Sequence, residues 1–168
     1  MITETKTHWV GHPVRSDGTV SQKTVELPKD LWRMILSKGD PVISVHIPAG
    51  GGLTPELVDE SIRDAKAFFA RYFPDYAYKA FVCYSWLMDP QLVDLLGADT
   101  NIAKFNLRFT KLVRKSSGGG VFSFIYLKPD AELDIRSLPE RTTLERKIKQ
   151  HYLDGNCIFE QIGYFFDT

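Results

Sequence analysis

The sequence predicts an α/β fold, in which a mixed β-sheet is flanked by helices on both faces. Two almost continuously apolar, β-branched runs, residues 41–48 and 79–88, have the pattern of buried strands. An apolar repeat of helical period fills residues 54–72 between them, and a strand–helix–strand crossover implies parallel neighbouring strands. The 168 residues, 43% of them hydrophobic and 12% aromatic, suffice for one core, so we expect a single domain over residues 1–168.

The segment before the crossover predicts a hairpin and a short helix. Residues 7–14 and 19–27 are rich in Val, Thr and Trp and flank a Ser-Asp-Gly turn at 16–18. Pro28 suits the first position of a helix over residues 29–38, and Leu31, Trp32 and Ile35 would form its apolar face before Gly39 ends it.

The crossover itself has strong end signals. Thr54 is suited to cap the long helix, Pro55 to follow it as the first helical residue, and Pro74 to end it. Strand 41–48 is apolar on both sides, which predicts cover on both faces.

The second half of the chain alternates helices and strands. Thr142 and Glu145 have the spacing of a capping box, and Gly155 is placed to end the helix that they begin. The predicted elements are a short helix over 89–97, a helix from 101 to about 109, a flexible Ser-Ser-Gly-Gly-Gly loop at 116–120, a strand at 121–127, a helix over 142–155 and a last strand at 157–166.

Composition and charge exclude several classes of function. Lys plus Arg and Asp plus Glu both number 21, so the net charge is zero and nucleic acid is not an expected partner of the whole molecule. A cationic stretch in residues 104–115 leaves a local phosphate or RNA contact as a weaker alternative to a solvated surface. The longest apolar stretch, residues 80–88, is too short to span a membrane, and the N-terminus lacks a signal-peptide core. We therefore expect a cytoplasmic protein.

The two cysteines and four histidines have no metal-ligand spacing, so no metal is predicted. Cys83 lies in a predicted buried strand without a cationic neighbour in sequence, and an inert thiol is favoured over a nucleophile.

The join between the first crossover strand and the long helix is the strongest candidate site. Three consecutive glycines allow a ligand to approach the backbone, and free N–H groups at a helix start bind phosphate. The loop matches neither the Walker A nor the dinucleotide fingerprint, and a plain tight turn is the alternative. The candidate anion-binding residues are Ala49, Gly50, Gly51, Gly52, Leu53 and Thr54.

Polar side chains near the ends of the two predicted parallel strands are candidates for proton transfer. His46 shares a strand face with Ser44, and it is either a general base beside the glycine loop or a hydrogen-bonded core histidine. Tyr84 and Ser85 end the adjacent strand, and open α/β sheets bind ligands beyond the carboxyl ends of their strands. These three residues, His46, Tyr84 and Ser85, are the predicted catalytic residues.

Several segments together resemble a known family. The strings HIPAGG and SWLMDPQL, with LPERTTLERKIKQHYLDG and the closing GYFF, are similar to the C-terminal GNAT-like domain of bacterial acyltransferase domain-containing proteins, from about residue 10 to 166. In that family the domain commonly follows a separate N-terminal acyltransferase region. The resemblance implies a GNAT-like sheet with splayed central parallel strands, 41–48 and 79–88, and a cradle at residues 49–53 for the pyrophosphate of acyl-CoA.

The resemblance also implies a function: acyl transfer from a CoA thioester to the amine of a small-molecule acceptor. The N-terminal region would then be supplied on a separate chain. The sequence departs from the superfamily pattern at Ile47, where Gln or Arg is usual, and no Tyr follows Asn101 at the usual spacing for a thiolate acid. The alternative hypothesis is therefore a non-catalytic GNAT-fold module that binds a ligand or partner.

Overall fold

The structure, a computed structural model, describes residues 2–14, 21–48, 50, 52–112, 116, 118–127 and 134–167. The described chain forms an α/β fold, as predicted, but its strands form two sheets instead of one. The strands are β1 (Thr3–Glu4), β2 (His8–Gly11), β3 (Val25–Pro28), β4 (Val42–Ser44), β5 (Ala80–Ser85), β6 (Thr110–Leu112) and β7 (Gln161–Phe165). The α-helices are α1 (Pro55–Tyr72), α2 (Gln91–Leu96), α3 (Asn101–Leu107) and α4 (Thr143–Leu153).

The smaller sheet has the order β1-β2-β3, with both pairs antiparallel. The predicted hairpin is confirmed in its strands, since Trp9 pairs with Leu27 and Val10 with Glu26. Its predicted turn at 16–18 lies outside the described residues. Not one described residue of these three strands is fully buried.

The predicted helix over 29–38 is wrong. One turn follows β3, closed by hydrogen bonds from Leu31 and Trp32 N–H to the Pro28 carbonyl, and the chain then continues without helix. Leu31 is 77% exposed and Trp32 54% exposed, so the expected apolar face has no partner surface. Because a short helix is stabilised mainly by packing its apolar face, the periodic pattern alone is insufficient here.

The larger sheet has the order β4-β5-β7-β6, and its only parallel pair in the described residues is β4 with β5. The predicted crossover is confirmed: α1 runs for 18 residues between these strands, and the Thr54 hydroxyl accepts a hydrogen bond from Leu57 N–H. β4 is shorter than predicted and is covered on one face only, since Ile43 is buried and Ser44 exposed. It lies at the edge of the larger sheet, and β5 is its one neighbouring strand among the described residues.

Two further expectations need correction. The predicted strand 79–88 ends at Ser85, whose hydroxyl caps a 3₁₀ turn over Trp86–Met88. The predicted strand 121–127 is a π-helical turn, Phe122–Tyr126, in which Phe122 and Tyr126 are buried and Phe124 is 71% exposed. Two buried aromatic residues four positions apart fit one helical face, and the alternating Phe-Ser-Phe pattern is misleading.

The capping box is confirmed: Thr142 accepts from Glu145 N–H, and the Glu145 carboxylate accepts from Thr142 N–H. Gly118 lies buried against Cys157, so the described part of the predicted flexible loop packs against the segment before β7. The core joins β5, the 3₁₀ turn, α2, α3, the π-helical turn and α4, and it includes Cys83, Trp86, Leu87, Met88, Leu92, Phe105, Phe109, Val121, Phe122, Tyr126, Leu138, Ile148 and Ile158. Within the described ranges, every helix is too short or too polar to cross a membrane.

Candidate functional site

The parallel strands β4 and β5 part near their carboxyl ends. Their register pairs Val42 with Ala80 and Ser44 with Val82, and Val45 N–H donates to the Val82 carbonyl at 2.8 Å just beyond the ladder. The chain after β4 and the end of β5 then line opposite sides of a cavity of about 560 Å³, which we call the strand-end cavity. Its wall includes residues 45–48, 50, 53 and 83–87.

The strand-end cavity brings together the three predicted catalytic residues, His46, Tyr84 and Ser85. His46 is exposed, so the alternative of a buried core histidine is wrong. Its Nε2 lies 3.2 Å from the Ser44 hydroxyl, which confirms that the two side chains share a strand face. An accessible imidazole with a hydroxyl partner is suited to proton transfer.

The other two candidates have partners of their own. The Tyr84 hydroxyl donates to Glu160 Oε2 at 3.0 Å, and the side chain is 50% exposed. The Ser85 hydroxyl oxygen accepts from Leu87 N–H at 3.1 Å, and a hydroxyl that accepts a hydrogen bond can still donate its proton. Glu160 is a residue that sequence reasoning missed, because it lies 76 positions from Tyr84 and carries no local signal.

The glycine loop lies at the rim of the strand-end cavity. Gly50 lines it with φ +84°, a conformation that favours glycine, and a Cβ built there meets no atom within 4 Å. A Cβ at Gly52 would meet only the Thr54 methyl, at 3.7 Å. Open space therefore surrounds both positions, so a ligand can approach the backbone there. Ala49 and Gly51 lie outside the described residues.

The start of α1 offers backbone donors to an anion. Pro55 has no N–H, and Leu57 N–H donates to the Thr54 hydroxyl, so the donors that this helix end leaves are the N–H groups of Thr54 and Glu56. Such groups at the positive end of an 18-residue helix suit a phosphate. The described part of the loop is therefore open to an anion, and the assignment of these residues to anion binding stays a prediction.

The cationic residues 104–115 do not form one helical stripe. α3 ends at Leu107, and beyond it Arg108 donates to Asp59 Oδ1 at 2.5 Å and to the Pro55 carbonyl at 3.4 Å. Lys111 turns inward and donates to the Asn106 carbonyl, and burial lowers the pKa of its amine. Arg114 and Lys115 lie outside the described residues.

Cys83 also lines the strand-end cavity, yet it has no activated thiol. Burial raises the pKa of this thiol to about 11, so the thiolate is scarce at neutral pH. This agrees with the prediction of an inert cysteine. The described residues contain no cluster of His, Cys, Asp and Glu that could hold a metal ion.

The far wall of the strand-end cavity comes from elements whose role was not predicted. Phe124 and Ile125 of the π-helical turn and Thr142, Leu144 and Glu145 at the start of α4 line it. Burial alone would raise the pKa of Glu145, but hydrogen bonds from the Thr142 N–H and the Arg141 side chain outweigh burial and lower it. An ionised carboxylate therefore stands at this wall, and the capping-box signal could have located it.

A second cavity, of about 430 Å³, lies between α1 and the larger sheet, and we call it the helix cavity. Residues 45–48 and Leu53 line both cavities, so the chain between β4 and α1 forms the wall between them. The rest of its lining is mainly apolar and includes Ile43, Val58, Ile62, Ala65, Phe81 and Phe165.

Comparison with known proteins adds four findings. Residues 6–165 match the family described as a GNAT-like C-terminal domain. A crystal structure of an acyltransferase in complex with decanoyl-CoA aligns with a TM-score of 0.68 and 26% identity, over 100% of this chain and 46% of that one. An acyltransferase in complex with decanoyl-CoA and teicoplanin aligns with a TM-score of 0.66 and 23% identity, over 98% and 46%. The chain thus spans under half the length of these solved proteins. No protein with a curated description matches it.

Proposed function

Because the chain belongs to the family of GNAT-like C-terminal domains, we propose that it binds acyl-CoA and transfers the acyl group to an amine of a small-molecule acceptor. One observation carries the proposal. His46, Tyr84, Ser85 and Gly50 of the glycine loop line a single cavity where two parallel strands part. The acyltransferase bound to decanoyl-CoA aligns with 100% of this chain, and its ligand supports the choice of acyl donor.

The loop before α1 would hold the diphosphate of CoA. Gly50 and Gly52 leave the backbone accessible, and the N–H groups of Leu53 in the loop and of Thr54 and Glu56 at the helix end are the donors. We also assign Ala49 and Gly51, which complete the loop, to this contact. The thioester of CoA supplies an acyl group that an amine can attack without prior activation by ATP.

Side chains of the strand-end cavity would accept and donate the protons that move during acyl transfer. His46 accepts the proton that the attacking amine must lose as the new C–N bond forms. Tyr84 or Ser85 donates a proton to the sulfur as the C–S bond breaks, so that the thiol leaves neutral. Backbone N–H groups at the strand ends polarise the thioester carbonyl.

The test is calorimetric titration with decanoyl-CoA. Gly50→Asp places a carboxylate where the diphosphate would lie, and we expect it to weaken binding by at least about tenfold. Gly39→Asp is a matched control, because Gly39 is also exposed, has φ +95° and faces open space. Wild-type protein that binds no acyl-CoA, or equal affinity in the two variants, would refute the proposed binding.

A non-catalytic binding module is the second candidate. It is favoured by the engagement of Tyr84 with Glu160 and of Ser85 with the 3₁₀ turn, since both hydroxyls already stabilise the fold. A transfer assay separates the candidates: wild-type protein that binds acyl-CoA but transfers no acyl group supports the binding module. Transfer that His46→Ala abolishes with unchanged acyl-CoA affinity supports the enzyme, and transfer that His46→Ala leaves intact removes the proposed base.

We further propose that the chain works in the cytoplasm together with an N-terminal acyltransferase region. Its solved neighbours are about twice as long, since it covers 46% of each. Both described cysteines are free, which suits a reducing compartment. Transfer assays with and without the N-terminal half of a solved neighbour test this requirement, and full activity of the chain alone would contradict it.

A further inference from the structure

The helix α1 does not pack tightly on the sheet. None of its 18 residues is fully buried, although Val58, Ile62 and Ala65 face inward and are partly covered. The helix cavity, of about 430 Å³, separates these residues from Ile43 and Phe81 on the strands. Protein interiors are normally close-packed, so an apolar space of this size along one helix is a candidate ligand site.

The lining of the helix cavity selects an apolar ligand. Its inner part is formed by aliphatic and aromatic side chains, and apolar cavities of this kind exclude water and bind hydrocarbons. Its polar side chains, Ser44, His46 and Ser61, are few. A ligand that fits this distribution is a hydrocarbon chain with one polar end.

The direction of such a chain follows from the topology. In a strand–helix–strand crossover the helix runs back along the strand that precedes it. Leu57 and Ile47 therefore mark the end beside the glycine loop, and Ala65 and Ile43 mark the opposite end. Phe81 and Phe165 also line the cavity, and their rings stack at 5.0 Å between centroids and 5° between planes.

We propose that the helix cavity binds the acyl chain of the donor, with its carbonyl end beside His46, and that Ala65 and the Phe81–Phe165 stack limit its length. This inference rests on the proposed function. Leu57 and Ala65 lie eight residues apart on α1, about 12 Å along the helix axis, which matches the extended length of a chain of roughly ten carbons. The residue that determines specificity is Ala65, because a larger side chain there shortens the cavity from its far end.

The experiment measures the affinity of a series of acyl-CoAs by calorimetry, below their micelle concentrations. We expect the affinity of the wild-type protein to rise by about fourfold per methylene from butyryl-CoA to decanoyl-CoA, because each buried methylene leaves water. The rise should stop, or reverse, at chains longer than the cavity.

Ala65→Phe should remove most of this gain and leave butyryl-CoA affinity within about twofold. Ala67→Phe is the matched control, since Ala67 lies on the same helix, is exposed and does not line the cavity. If Ala65→Phe fails to fold, Ala65→Leu makes the smaller change and should shorten the preferred chain. Constant affinity across the wild-type series, or identical profiles for the Ala65 and Ala67 variants, would overturn the inference.

Free decanoate separates this inference from the proposed function. If Ala65→Phe weakens decanoate binding and no acyl-CoA binds, the hydrocarbon site is supported and the proposed CoA site is refuted. Binding of CoA that Gly50→Asp weakens, with no effect of chain length, would retain the proposed function and remove the acyl cavity.

Discussion

Asn106 is a fully buried amide that joins α3 to the 3₁₀ turn, and its removal is expected to destabilise the fold strongly. Its Nδ2 donates to the Leu87 carbonyl at 2.7 Å and to the Asp89 carbonyl at 2.9 Å. Asn106→Ala removes both hydrogen bonds. One of the two acceptors belongs to Leu87, which lines the strand-end cavity.

The size of the effect follows from the partners that remain. The Asp89 carbonyl still accepts from Leu92 N–H, so its loss is about 1 kcal/mol, whereas the Leu87 carbonyl loses a buried donor at a cost of about 1–3 kcal/mol. Among the described residues no group donates to Asn106 Oδ1. Removal of this unpaired buried oxygen stabilises the variant and offsets part of the loss. We expect Asn106→Ala to lower the free energy of unfolding by about 2–3 kcal/mol.

Urea denaturation followed by tryptophan fluorescence measures this change. Asn101→Ala is the control, because Asn101 is exposed on the same helix and should stay within about 0.5 kcal/mol of wild type. Asn106→Asp should be worse than Asn106→Ala, since it directs a carboxylate at two carbonyl oxygens. A loss below about 0.5 kcal/mol in Asn106→Ala, or an Asp variant as stable as wild type, would refute this account.

Three further outcomes are expected. Gly163→Ala should lower the free energy of unfolding by about 1–3 kcal/mol, because its Cβ would lie 2.5 Å from Met88 Sδ, and thermal melts measure this loss. Cys83, with a pKa of about 11, should resist iodoacetamide at pH 8 in the native protein and react in urea. Glu145 has a folded pKa below its usual 4.5, so its stabilisation is present above that pH and is lost as pH falls through the folded pKa; Glu145→Gln should flatten this acid limb in pH-dependent unfolding.

Each of these outcomes has a contrary result. A Gly163→Ala protein with the melting temperature of the wild type would show that Met88 and Phe109 move aside without cost. Rapid native labelling of Cys83 would contradict its burial. An acid limb of the same slope in the Glu145→Gln variant would mean that other carboxylates govern acid unfolding.

Local signals in the sequence predicted the starts of α1 and α4 and the grouping of the candidate residues around one cavity. A cap such as Thr54 or Thr142 acts on a backbone N–H three residues away, so the structure repeats what the local sequence specifies. The alternation of Ser44 and His46 with apolar neighbours likewise gave their shared face. Because the glycine loop joins a strand to its helix, its position at the strand ends followed from the same local reasoning.

The errors arise where structure depends on distant partners. The helix expected over 29–38 requires a surface to cover Leu31 and Trp32, and no local pattern reports whether that surface exists. The Phe122–Tyr126 segment takes its conformation from the core that buries its two ends. The contact of Tyr84 with Glu160 and the two-sheet arrangement also depend on pairings between remote segments, which periodicity cannot reveal.

The small sheet β1-β2-β3 has a consequence for the motions of the protein. With no fully buried residue, its backbone hydrogen bonds are shielded only by partly covered side chains, and its pairings span a short stretch of chain. Its amides should therefore exchange with deuterium through local opening, whereas those of the central strands β5 and β7 should exchange only when the whole molecule unfolds. We therefore expect the N-terminal sheet to open as a cooperative unit of its own while both cavities stay intact.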